Sequence, residues 1–153
     1  MQRLSALICL MILFFPACAQ GTVQINGDRG GRIGDYVEKY KGLRFSDENV
    51  VIDGPCLSAC TIVLGAVAQN KICITPRAIL GFHAAWNQGY ARTGGQPIMV
   101  TDPEATKLLY AIYPAPIKRW ISARGGLTPR MIFLRGKELQ AFYKLCTPNI
   151  SAH

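Results

Sequence analysis

Residues 49–82 limit the fold more than any other part of the 153-residue chain. Residues 49–53 (N-V-V-I-D) form a short β-branched run of the kind buried on both faces, ended by Gly54-Pro55. Residues 58–68 are continuously small and apolar, which suits a buried helix. Residues 71–75 and 78–82 are two further β-type runs, broken by Pro76. A strand, a buried helix and a returning strand predict an α/β fold of parallel βα units, because the crossover brings the chain back to the same end of the sheet.

The flanks extend this pattern. Residues 22–26 (T-V-Q-I-N) alternate as a short strand does, and residues 27–31 form a glycine-rich turn. Residues 33–41 carry helical periodicity through Ile33, Tyr36, Val37 and Tyr40. Residues 84–103 hold three glycines and two prolines with little periodicity, which predicts a long loop. Helices are predicted over 104–113 and 116–123, and another is predicted to start at Leu127-Thr128-Pro129 with Thr128 as N-cap. A last helix is predicted over 137–143.

Met1-Gln2-Arg3, a mostly apolar run over 4–15 and the small residues Ala17 and Ala19 have the order of a cleavable secretory signal. An apolar run of 12 residues is too short to span a bilayer, so residues 1–19 are expected to be removed rather than kept as an anchor. Residues 20–153 then form one domain. That product, exported to a bacterial periplasm or secreted, holds 16 Lys and Arg against 9 Asp and Glu. These basic residues do not cluster, Lys118-Arg119 being the longest run, so no nucleic-acid partner is expected.

Cys56, Cys60, Cys73 and Cys146 remain after cleavage, and in an oxidising compartment they suggest two disulfides with three open connectivities. The C-x3-C spacing with two distant partners lacks the paired pattern of a zinc site, so neither a metal nor a cofactor is expected.

Chemistry concentrates at Ser58, which follows a strand and a tight turn and precedes the buried helix. A hydroxyl there lies near free backbone N–H groups and the positive end of a helix dipole, which favours alkoxide and oxyanion alike. His83 closes the strand 25 residues later, and Gly30-Gly31 can present an N–H with no side chain in the way. Each residue also has a plainer role: Ser58 as a helix N-cap, His83 as a packed core residue, Gly30-Gly31 as a turn. Trp86, Tyr90 and Arg92 either line a cleft or pack their loop onto the body. Asn149-Ile150-Ser151 is read as a chance sequon.

The order and spacing of these residues resemble the ClpP/crotonase superfamily, and its small exported ClpP-like bacterial branch in particular. I-N-G-D-R-G-G-R-I resembles the family's strand and glycine pair, C-L-S-A-C its nucleophile segment, and the stretch to L-G-F-H its helix, strands and histidine. The resemblance continues more loosely through G-G-L-T-P-R-M-I-F-L-R-G-K-E-L and covers about 120 residues in all, the middle third being the most specific. It implies Ser58 as nucleophile, His83 as general base, and an oxyanion hole from the N–H of Ala59 with that of Gly30 or Gly31. It further implies a peptide or acyl substrate, and it admits a homo-oligomer. One departure is that residues 130–135 (R-M-I-F-L-R) lack the aspartate that orients the histidine in the peptidases, leaving Asp53, Asp102 and Glu138 as substitutes to test. The expected function is a serine hydrolase of peptidase type. Its rival is a non-catalytic binding or structural protein on the same core.

Overall fold

The computed structural model describes residues 21–90 and 97–147. The predicted leader, Arg92 and the Asn149 sequon lie outside the described residues. In chain order the elements are β1 (Thr22–Ile25), α1 (Ile33–Lys41), β2 (Asn49–Ile52), β3 (Pro55–Leu57), a 3-10 turn (Ser58–Ile62) and α2 (Val63–Ala66). They continue as β4 (Ile72–Ile74), β5 (Ile79–Phe82), β6 (Trp86–Tyr90), β7 (Pro97–Thr101), α3 (Pro103–Ile112) and α4 (Ala115–Ser122). The last are β8 (Ile132–Arg135), α5 (Gly136–Gln140) and β9 (Lys144–Leu145).

The fold is mixed α/β, as the alternating pattern predicts. One sheet has the order β1-β2-β4-β9 and is parallel throughout. A second has the order β3-β5-β8, parallel between β3 and β5 and antiparallel between β5 and β8. The chain passes from the first sheet into the second twice, from β2 to β3 and from β4 to β5, and returns from β3 to β4 and from β8 to β9. Gly54 makes the first crossing possible: its φ is +156°, and a Cβ there would stand 2.5 Å from the Asn26 carbonyl oxygen. Asp53 joins the two crossings by accepting from Thr75 Oγ1 at 2.5 Å and from Arg77 Nε at 3.0 Å and Nη2 at 2.5 Å. These bonds, those from Arg77 foremost, hold the Asp53 carboxyl below its ordinary range.

Val50, Ile52 and Ile74 from the first sheet, and Leu80, Phe82 and Leu134 from the second, are fully buried. Tyr113, Ile117 and Ile121 from the α3–α4 region close the same cluster. Phe82 meets Tyr113 edge to face at 5.3 Å between ring centroids, so the strand that delivers His83 is anchored in the core.

Three expectations are corrected. The segment 84–103 is not a plain loop: it holds the antiparallel hairpin β6–β7, with Trp86 opposite Thr101 and Gln88 opposite Met99. All of β7 is exposed, so its sequence carries no inward-outward alternation to reveal it. No helix starts at Thr128-Pro129; β8 follows instead, because the open edge of β5 takes Ile132–Arg135 as its hydrogen-bonding partner. The helix expected over 137–143 is shorter, and the chain adds β9 to the parallel sheet beside Cys146.

The cysteines pair as Cys56–Cys60 and Cys73–Cys146. The second bond ties β4 to the end of β9. Among the described residues no helix is long and apolar enough to cross a membrane.

Candidate active site

β3 ends at Leu57, and Ser58 turns the chain abruptly into the 3-10 segment. Its φ is +56°, and among the described residues it is the only non-glycine in the left-handed region. A non-glycine residue disfavours this region, so local preference opposes it and tertiary contacts must hold it. The 3-10 segment has Leu57 at its N-cap and no side-chain cap bond, so Ser58 does not act as an N-cap. Its side chain is half-buried and lines an open cleft.

The contacts that hold the turn come from three sides. Thr61, fully buried, donates from Oγ1 to the Ser58 carbonyl at 2.6 Å and meets the Tyr113 hydroxyl at 2.7 Å. The Cys56–Cys60 bond closes the turn covalently. Gly30, with φ +81°, packs against the third side: a Cβ on it would lie 2.5 Å from the Leu57 carbonyl oxygen, 2.7 Å from Ser58 Cβ and 2.8 Å from the Ala59 nitrogen. Only glycine fits there.

Asp28 fixes the glycine turn. Its backbone N–H donates to Pro55 O at 2.7 Å and its carbonyl accepts from Leu57 N at 2.8 Å, a bridge that ties the turn to β3. Its carboxylate accepts from the Gly30 N–H at 2.8 Å, from the Tyr36 hydroxyl and from Lys39 Nζ at 3.1 Å. Burial works to raise the Asp28 pKa, but these donors outweigh it and hold the group below its ordinary value. Burial, and then Asp28 itself, push Tyr36 up to about 12, so it stays a hydroxyl donor.

This bonding distinguishes the two glycines. The Gly30 N–H is already engaged, whereas among the described residues the N–H groups of Gly31 and Ala59 have no protein acceptor. Gly31 and Ala59, rather than Gly30, are therefore the pair available to an oxyanion. Gly30 supplies the close approach.

His83, half-buried, follows β5 and lines the same cleft as Ser58. Its Nδ1 is 2.6 Å from the Ala84 carbonyl oxygen. A carbonyl only accepts, so Nδ1 carries a proton and Nε2 of the neutral ring is the free base. The cleft measures about 650 Å³ and is also lined by residues 31–34, by Trp86 and its neighbours in β6, and by Ala105 and Leu109 of α3. Among the described residues no hydrogen bond joins Ser58 to His83.

None of the three candidate acids reaches His83. Asp53 is held by Arg77 and Thr75, Asp102 caps α3 at Ala105 N and accepts from Asn87, and Glu138 accepts from Trp120 and Arg124. A backbone carbonyl takes the place a carboxylate would hold. Ser58, His83, Gly30, Gly31 and Ala59 thus share one site, while Asp28, Thr61 and Arg32 are additions that spacing did not reveal. Asp28 carried one legible signal, since Asp two residues before glycine in G-D-R-G-G is the pattern of a side chain that accepts from a backbone N–H two residues on.

Among known proteins, no family model and no curated sequence matches the chain.

Proposed function

We propose that the chain is an exported serine hydrolase of peptidase type, built on a ClpP/crotonase-like core, with Ser58 as nucleophile and His83 as general base. The observation that carries this reading is the left-handed Ser58, whose hydroxyl makes no hydrogen bond among the described residues and which shares a cleft with His83. Strain of this kind, here at a serine beside two N–H groups that have no acceptor among the described residues, clusters at active sites.

In acylation the Ser58 Oγ–H proton passes to His83 Nε2 as Oγ bonds to the acyl carbon. The negative charge moves to the carbonyl oxygen, where the N–H groups of Gly31 and Ala59 receive it. The tetrahedral species collapses, and the leaving amine or alkoxide departs with the proton held on His83. Water then repeats the sequence: His83 takes its proton, the hydroxide oxygen bonds to the acyl carbon, and the proton returns to Ser58 Oγ as the acid leaves. His83 and Ser58 close to hydrogen-bonding distance once substrate fills the cleft, as catalytic pairs commonly do. The Ala84 carbonyl keeps the ring in the right tautomer but gives the imidazolium less stabilisation than a carboxylate, which predicts slow turnover.

Export is supported by the two disulfides, which persist in oxidising compartments. The test is incubation with p-nitrophenyl acetate: intact-mass analysis should find an acetyl ester on Ser58 that is absent from Ser58→Ala. A folded protein that never acylates at Ser58 contradicts the reading.

A second reading, a non-catalytic binding or structural protein on the same core, is favoured by one observation: among the described residues no carboxylate hydrogen-bonds to His83. It predicts ligand binding that survives Ser58→Ala undiminished.

A further inference from the structure

The cleft has a charge of one sign. Its lining contains a single formally charged residue, Arg32, and no Asp or Glu. Arg32 directly follows Gly31, one of the two N–H donors assigned to the oxyanion. It is exposed, and among the described residues it makes no ion pair and no side-chain hydrogen bond.

Of the acids near this face in sequence or fold, Asp28 is balanced by Lys39 and Asp102 accepts from Ala105 N and Asn87, while Asp35, exposed in the first turn of α1, does not line the cleft. The rest of the cleft lining is apolar or neutral, including Ala85, Ala105 and Leu109. A guanidinium at the rim of a cleft with low-dielectric walls attracts anions more strongly than one on an open surface, and its fork fits a carboxylate.

We infer that Arg32 sets substrate choice: the cleft takes acyl substrates that carry a carboxylate close to the scissile carbonyl, with their apolar portion against Ala105 and Leu109. This rests on Ser58 being the nucleophile. It makes neutral acyl groups poorer substrates and cationic ones poorer still.

The test compares two fluorophosphonates of equal chain length, one ending in a methyl group and one in a carboxylate. Ser58 displaces fluoride from either, so the ratio of labelling rates reports the charge preference alone. In the oxidised protein the carboxylate probe should react about threefold to fivefold faster, the range of a partly exposed ion pair. Arg32→Gln should bring the ratio to about one, Arg32→Lys should keep part of it, and molar salt should reduce it. Equal rates in the wild type overturn the inference, as does a preference that persists in Arg32→Gln, which would belong to the molecule's overall positive field. A parallel titration with glutarate and with its diamide, read at the Gly31, Arg32 and Ser58 amides by NMR, separates the two claims. Shifts with glutarate only, without labelling by either probe, would uphold the anion preference and overturn Ser58 as nucleophile. Absence of shifts and of labelling overturns both.

Discussion

At Ser58 an L-residue sits where Cβ crowds the following carbonyl, at a cost of about 1–2 kcal/mol. Glycine has no such cost. Ser58→Gly should therefore be more stable than Ser58→Ala by about 1 kcal/mol in urea denaturation, while neither variant acylates. Equal stability would mean that the turn is not strained. Asp28 makes a second residue-scale prediction. Its carboxyl is held below the ordinary value of 3.8, so its contribution is fully present above that pH and is lost as pH falls through the lower, folded-state value. The difference in Tm between wild type and Asp28→Asn should accordingly be largest near neutrality and shrink below about pH 3.8. A difference independent of pH would contradict the carboxylate's role in holding Gly30. Thr61 does not stand out in the sequence and Asp28 does so only through its glycine turn, because their other partners, Tyr113 and Tyr36, are chosen by the fold and not by spacing.

Among the elements, the 3-10 segment after β3 is tied to the core through Thr61, which bonds the Ser58 carbonyl and the Tyr113 hydroxyl. Thr61→Val keeps the volume but removes the bond to the Ser58 carbonyl and strips the buried Tyr113 hydroxyl of its partner. We expect a loss of about 1–3 kcal/mol, together with slower acylation at Ser58, and Thr61→Ser should restore most of both. If Thr61→Val acylates at the wild-type rate, Thr61 is structural only. The sequence made β1, β2, β4, β5, α1 and α3 legible because each pairs a clear periodicity with Gly or Pro punctuation. It hid β3, whose three residues begin with a proline that reads as a terminator, and β8, whose Thr128-Pro129 prelude imitates a helix start. The glycine pair, Ser58 and His83 were legible by order and spacing. What held the histidine was not, since a backbone carbonyl leaves no trace in a search for acids.

For the molecule as a whole, the two disulfides act at different ranges. Cys73–Cys146 closes a loop with a sequence separation of 73, and chain-entropy reasoning assigns it about 4 kcal/mol of stability. Cys56–Cys60 spans a separation of only 4, which constrains the unfolded chain much less but clamps the turn that presents Ser58. Replacing Cys73 and Cys146 together with alanine should lower Tm markedly. The same change at Cys56 and Cys60 should cost less stability and more reactivity at Ser58. The opposite ranking in paired denaturation and acylation assays would separate the short disulfide from the site.

The central claim is that this fold activates Ser58 through His83. Its most direct test is fluorophosphonate labelling of the oxidised protein, with the modified peptide mapped by mass spectrometry beside Ser58→Ala and His83→Ala. The account predicts one labelled peptide containing Ser58, absent in Ser58→Ala and reduced by about 100-fold or more in rate in His83→Ala. A folded wild-type protein that takes no label at Ser58, or one that labels equally well without His83, would contradict it.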